Sequence, residues 1–505
     1  MSTRNQRKTV AIAGGGLAGL AAGCALSDAG FDVTVYERRP YLGGRASSYE
    51  HPGTAEVVDN CQHVLLGCCT SLIDLYRRIG VEDQIRWYDR LTFLEPGGRR
   101  SEIGPSALPA PMHAAPSFLR VPMLSLKEKM AITRAMLALV PRLPEDDGSN
   151  FLEWLRRHGQ SERAVDRFWK TVLVSALNED LDRVSVSNAA LVFRESFLKS
   201  AAAGRMGVPV VPLSDLYSRA GDYITGHGGH IELRASVEAV QPSISSECGA
   251  GGKTNLNATG PANSDSCVRL CVGGSELCYN FAVLALPFNT LERVLPDESL
   301  SLPLRRALNQ FGTSPITGVH LWFDRKITEL DHAVLLDRTI QWMFHKSQIQ
   351  SQTPVSESFG THTERREGTT PGEADRGSYV ELVISASKTL LSKPRAETIE
   401  LALKELAEFF PAVRHAQVLK STVIKEVHAT FSPSPGSDAY RPGPETHWSR
   451  LFLAGDWTAT GWPATMESAV RSGYLAAEAV CRAAGIERRF LVPDLAAAGL
   501  MKLFP

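Results

Sequence analysis

Near the start of the chain, Gly14-Gly15-Gly16-Leu17-Ala18-Gly19 forms a G-x-G-x-x-G pattern between an apolar run and a helix-like stretch. Thr9 to Ala13 before it has the length and composition of a buried strand, and the helix after it runs to about Asp28, where Gly30 breaks it. Phe31 to Tyr36 then alternates as a second strand. Such a βαβ unit sets a helix N-terminus, with its unpaired N–H groups and positive partial charge, where it can receive a pyrophosphate. Gly14 permits the tight turn, Gly16 lets the backbone approach the phosphates, and Gly19 lets helix and strand pack closely. Gly15, Leu17 and Ala18 complete the loop. Glu37, 18 positions after Gly19, closes the second strand with a carboxylate suited to ribose hydroxyls and hostile to a 2′-phosphate.

A chain of 505 residues exceeds one ordinary core, so two domains are expected. Its 43% hydrophobic and 22% charged content is that of a globular protein, and its formal charge of −1, without a Lys/Arg block, argues against nucleic acid. No apolar run approaches the roughly 20 residues that span a bilayer. Arg4, Arg7 and Lys8 ahead of Val10 to Leu26 mimic a secretory leader, but the five glycines in that stretch and the strand after it read as a nucleotide-binding unit instead. The nine cysteines (Cys24, Cys61, Cys68, Cys69, Cys248, Cys267, Cys271, Cys278 and Cys481) form no C-x-x-C pair and read as reduced thiols of a cytoplasmic protein. No metal site is expected. Cys267 and Cys271 share a strand face, but no His or second Cys pair stands at ligand spacing.

Further along, helices are predicted over Ser71 to Ile79, Ser125 to Val140, Phe151 to His158, Ser161 to Leu177 and Leu213 to Thr225. Strands are predicted from Ile231 to Val240, paired with Val268 to Val272, and from Phe281 to Leu286. Ser243 to Ser266 and Ser347 to Gly377 are rich in small polar residues and read as disordered surface insertions.

Two more motifs bear on the nucleotide. Glu37-Arg38-Arg39-Pro40-Tyr41-Leu42-Gly43-Gly44-Arg45-Ala46 follows the second strand. Leu451 to Gly455-Asp456 is a buried strand ending in an acid, after which Pro463 is predicted to open a helix to about Ala483, with Met466, Ala469, Val470, Gly473, Ala477 and Val480 inward. These segments resemble the amine oxidase and phytoene desaturase superfamily of FAD proteins. The resemblance implies an α/β fold, a Rossmann-type FAD-binding domain with an interleaved α+β substrate domain. It places Gly43, Gly44 and Arg45, with Arg38 beside them, and Asp456 along the phosphates and ribityl chain. The helix N-terminus at Ala464, Thr465 and Met466 falls at the flavin, and Val237, after Gly228-Gly229-His230, at the adenine. The implied FAD domain comprises 1–70, 226–290 and 445–485, and the substrate domain 71–225 and 291–444, α-rich over 117–200, with 486–505 as a tail.

Asp59-Asn60-Cys61-Gln62-His63-Val64-Leu65-Leu66-Gly67 and Gly455 to Val470 resemble, more narrowly, the hydroxysqualene dehydroxylase family of hopanoid synthesis, which usually has Gly where Cys61 stands. This likeness implies FAD-dependent reduction of a C30 allylic alcohol to squalene. Such a reaction needs an acid and a dry pocket. His63, with Gln62, is the candidate catalytic group, or else both merely position the flavin. A carotenoid desaturase or isomerase, an amine oxidase and a non-catalytic prenyl-lipid escort are the alternatives. A C30 isoprenoid partner implies peripheral contact with the inner face of a membrane, through Ser117 to Leu124 or through Phe490 to Val492 and Leu500 to Phe504, unless these are core.

Overall fold

The computed structural model describes residues 7–242, 267–351 and 377–504. The disordered insertion expected at 243–266, and most of that at 347–377, lie outside them. Lys346–Ser351 is an exception, a short helix whose Ile349 is fully buried. An apolar anchor there outweighs the polar composition around it.

The apolar run Thr9–Ala13 (β1) and the alternating Asp32–Glu37 (β2) lie at the heart of a five-stranded parallel sheet. Its order is His230–Leu233, β2, β1, Phe281–Leu284, Leu451–Leu453, so three distant parts of the chain share one sheet. The single strand expected over Ile231 to Val240 is divided. Arg234 adopts a left-handed φ of 57°, and the chain leaves the parallel sheet there. Val237–Pro242 then starts a three-stranded antiparallel sheet with Val268–Val272 and Ser275–Tyr279. Periodicity along one segment cannot show that it changes partners midway.

One face of the parallel sheet carries helices. Leu17–Asp28 (α1) is buried from Leu17 through Ser27 because the last long helix, Met466–Ala483, crosses it closely. A Cβ on Gly473 would stand 2.3 Å from the Ala18 carbonyl oxygen, so glycine is what permits the approach. Thr70–Arg78 (α2) and the helix Leu213–Gly226 pack into this same core through Leu72, Leu75, Leu216 and Ile224. Both helices, assigned to the substrate domain by sequence position, therefore belong to the nucleotide-domain layer. The antiparallel sheet covers the opposite face.

A seven-stranded mixed sheet builds the second half, in the order Val418–Phe431, Thr313–Phe323, Tyr379–Ser385, Trp342–His345, His332–Leu335, Leu91–Leu94, Arg100–Ile103. The helical region from Ala115–Arg120 (α3) and Leu126–Ala138 (α4) through Val186–Phe193 forms its own apolar core with Phe93 and Val334 of that sheet. Within the stretch 117–124, Val121, Met123 and Leu124 belong to this core, and Leu119 is exposed. In the tail, Phe490 and Met501 are buried while Leu500, Leu503 and Phe504 are exposed.

Candidate functional site

A cleft of about 520 Å³ runs between the two halves and gathers the sequence motifs. Its walls include Gly14, Gly16, Leu17, Ala18, Glu37 and Arg38 from the first βαβ unit, and Gly43, Gly44 and Arg45 from the next loop. Gln62, His63 and Val237 also line it, as do Gly455, Asp456, Ala464, Thr465 and Met466. Gly15 and Gly19 do not reach the cleft. A Cβ on Gly15 would strike Leu42 and Glu37, and one on Gly19 would lie 2.0 Å from the Gly14 carbonyl oxygen, so both glycines serve packing behind the loop.

The cradle fits a dinucleotide. Gly14 has φ +107°, and a Cβ there would stand 2.5 Å from the Ala285 carbonyl oxygen. Gly16 is the N-cap of α1, with no side chain closing the helix end and no acid in its first turn, so the N–H groups remain available to an anion. Gly16 pairs with Gly43, and a Cβ on Gly44 would lie 2.9 Å from the Gly16 Cα; two glycine loops interlock around the phosphate position. Glu37 is buried and already accepts hydrogen bonds from the Gly15 N–H and the Arg39 N–H, each at 2.8 Å. Those bonds fix the carboxylate and leave lone pairs for a ribose. Arg45 donates to Asp456 at 2.6 Å and to the Ala429 carbonyl at 2.9 Å, tying the second motif to the third.

The last helix begins at Met466, not at Pro463. Thr465, in extended conformation, accepts the Ser468 N–H at its Oγ1, and an N-cap with a side-chain acceptor outranks a proline two residues earlier. In its first turn the buried Glu467 accepts the N–H groups of Ser71 and Leu72 at 3.0 and 2.8 Å, so one carboxylate serves the N-termini of two helices. Burial pushes this carboxyl up.

Beneath the loop from Asp59 to His63 lies a charge cluster that no local pattern announced. Lys346 donates to Asp59 at 2.6 Å and to the Gln62 Oε1 at 2.8 Å, and its ammonium stands 3.7 Å from Glu381. Burial opposes the charge on Asp59, but Lys346 holds that carboxyl below its ordinary range; Asp59 and Glu381 in turn hold the buried Lys346 above its own. Burial pushes Glu381 up to about 8, with Lys346 only partly countering it.

His63 receives its orientation from the same loop. Its Nδ1 lies 2.7 Å from the Cys61 carbonyl oxygen, which can only accept, so the proton is on Nδ1. Burial holds the imidazole below its usual pKa. His63 is therefore neutral, with the Nε2 lone pair free of protein donors among the described residues. That makes it a proton acceptor.

Past His63 the cleft continues as an apolar arm along Leu91, Phe93, Val172, Leu191, Val334 and Trp342. The helical path around it widens into π turns at Val165–Lys170 and Arg194–Leu198. Its polar groups are engaged internally: Ser175 accepts the Trp342 indole N–H at 2.6 Å and donates to the Thr171 carbonyl.

The fold and cleft are those of a flavoprotein oxidoreductase with FAD as cofactor. The sequence matches the flavin containing amine oxidoreductase family over residues 17–481, and the chain belongs to that family. It is 27% identical to 15-cis-phytoene desaturase of Synechococcus elongatus, over 97% of this chain and 99% of that one. It is 26% identical to zeta-carotene desaturase of Zea mays, over 97% and 87%. Among solved structures, an oxidoreductase from Methanosarcina mazei shares the fold, with a TM-score of 0.66 at 16% identity over 92% and 98% of the two chains.

Proposed function

We propose that this enzyme dehydrogenates a long polyisoprenoid chain, a reaction of the carotene desaturase kind. The observation that carries this reading is the apolar arm, which leaves His63 as the basic group at its inner end and has no charged side chain along Leu91, Phe93, Val172, Leu191, Val334 and Trp342. Those six residues offer an ammonium-bearing substrate no counter-charge. The carotene desaturase relatives support the same substrate class.

Dehydrogenation removes a hydride from one carbon and a proton from its neighbour as the new double bond forms. The Gly14–Gly19 and Gly43–Arg45 loops with Asp456 would hold FAD, which would supply the two-electron acceptor. The chain's own residues do the rest. The arm excludes water and aligns the substrate, and His63 takes the proton at Nε2. Gln62, anchored by Lys346, keeps the loop in place.

Reductive dehydroxylation of hydroxysqualene is a second reading, favoured by the segments 59–67 and 455–470, which line the same cleft. It demands a proton donor where His63 offers an acceptor, and so ranks below desaturation. Anaerobic incubation of the oxidised enzyme with phytoene, and of the reduced enzyme with hydroxysqualene, followed by mass spectrometry of the products, separates the two. Loss of two hydrogens from phytoene supports the first reading. Squalene formed from hydroxysqualene, with phytoene untouched, replaces it by the second.

A further inference from the structure

The outer face of the three-stranded antiparallel sheet brings two thiols together. Along Val268–Val272, the fully buried Val268 and Leu270 enter the core that also holds Val237. Strand alternation turns Cys267, Arg269 and Cys271 the other way. Arg269 pairs with Cys278 and Cys271 with Glu276 on the neighbouring strand, so these residues share that outer face. Cys267, one residue before its strand, stands diagonal to Cys278, and their sulfurs are 3.2 Å apart. Both lie at the open end of the hairpin, away from the turn at Gly273 and Gly274, whose φ values are 55° and 74°.

Position separates this pair from the other described cysteines. Cys278 is exposed and Cys267 half-buried, whereas Cys24, Cys61, Cys68 and Cys481 are buried. Burial pushes Cys24 up to about 12 and Cys481 to about 11, which keeps both thiols protonated and inert. Cys69 is pushed well above its ordinary value by the Cys68 thiol and by burial. Cys271 donates to Glu238 at 3.4 Å, and that carboxylate holds the thiol in its protonated form. Burial and the Cys267 thiol push Cys278 up to about 11, with Arg269 partly opposing them. Cys278 therefore keeps its proton, which suits it to the second step of a thiol oxidation rather than the first.

We propose that Cys267 and Cys278 form a reversible oxidation site for hydrogen peroxide. The Cys267 sulfur attacks the peroxide O–O bond, takes one oxygen to become a sulfenic acid, and releases water. The Cys278 sulfur then attacks the Cys267 sulfur; the S–O bond breaks, an S–S bond forms and a second water leaves. Two thiols and one peroxide thus give one disulfide and two waters, with sulfur oxidised and peroxide oxygen reduced. The sulfurs have to close from 3.2 Å to about 2.05 Å, and Cys267 precedes the strand, where the ladder does not hold it. A dithiol reductant reverses the bond by exchange. The bond staples the open end of a hairpin whose inner face backs Val237, a residue of the cleft wall. No part of this depends on the substrate.

The test exposes the FAD-loaded enzyme to a small excess of hydrogen peroxide, alkylates the remaining thiols and maps the peptides by mass spectrometry. A product joined through Cys267 and Cys278 is expected, about 2 Da lighter than the dithiol and restored by dithiothreitol. Thiol loss at this pair should run at least about tenfold faster than at Cys24, Cys61, Cys68 and Cys481. In C278S, Cys267 should halt at the sulfenic acid, which dimedone traps. In C267S, Cys278 should react at least about tenfold more slowly than in the parent. Both serines stand on an outer face, and an unchanged flavin spectrum checks each fold; the parent's peptide map needs no variant. Three results overturn the proposal: thiols at 267 and 278 that survive while other cysteines oxidise, separate sulfinic acids with no bond between them, or a bond from either to Cys248 or to a second chain.

Discussion

The Lys346 ammonium lies 2.6 Å from the Asp59 carboxylate with both side chains almost wholly buried, 2% and 3% exposed. One residue follows a strand of the mixed sheet, and the other ends the strand that leads into the cleft loop. The pair joins the two halves of the molecule directly behind His63. Removing one partner strands a charge where water cannot reach it. K346M is expected to cost about 3–5 kcal/mol, and D59N/K346M less than K346M alone. Thermal melts of the four proteins of this cycle would show it; an additive double variant would mean that the pair does not act as a unit.

Glu381 gives the same cluster a pH dependence. Its carboxyl is raised from 4.5 to about 8, so between those values the folded state holds a proton that the unfolded state releases. Stability contributed by this group is therefore present below pH 4.5 and is lost as pH rises toward 8. E381Q cannot make that loss. Its stability relative to the parent should grow from pH 5 to 8, by a few kcal/mol (on the order of 1.4 per pKa unit). Parallel denaturant titrations at several pH values check this, and a constant difference would refute it.

His63 is expected to be needed for turnover but not for cofactor retention. H63A should lower kcat by about 10²- to 10⁴-fold with flavin content unchanged. Because burial holds the imidazole below its ordinary range, the acid limb of the parent's rate profile should fall below about 6.5, with the neutral ring active above it. Full activity in H63A would reduce the residue to loop support.

The interlocked glycine loops predict a cofactor-specific lesion. An added methyl at Gly44, where φ is +63°, would press on the Gly16 Cα at 2.9 Å. G44A should weaken FAD retention at least about tenfold, read from flavin absorbance near 450 nm (roughly, for flavins generally) in the purified protein.

The arm predicts the converse. Ala176 lines it, and A176F would fill it. The flavin spectrum should persist while kcat/KM for a long isoprenoid falls by at least about 10²-fold. Unchanged kinetics would mean that the substrate lies elsewhere.

Much of the nucleotide half was open to reading in one dimension because its rules are local. A glycine loop between β1 and α1 needs only its neighbours to define it, and the acid closing β2 follows at a set spacing. The inward face of Met466–Ala483 likewise follows from helical periodicity, although its true start at Met466 depended on which residue captured the cap. Family likeness then tied these pieces to FAD. The division at Arg234 and the placement of α2 and Leu213–Gly226 in the nucleotide layer escaped, because both are decided by which surfaces meet.

What the amino-acid order determined by itself, then, was a flavoprotein of this family with its dinucleotide loop, its ribose-facing acid and its final helix. Only the folded chain decided the chemistry of the cleft. It set Lys346 and Glu381, which lie 287 and 322 residues beyond Asp59, under one loop, fixed the proton of His63 on Nδ1, and closed an apolar arm from elements spread between Leu91 and Trp342. Charge state and pocket shape depend on burial and on partners far away in sequence, and no spacing along the chain encodes them.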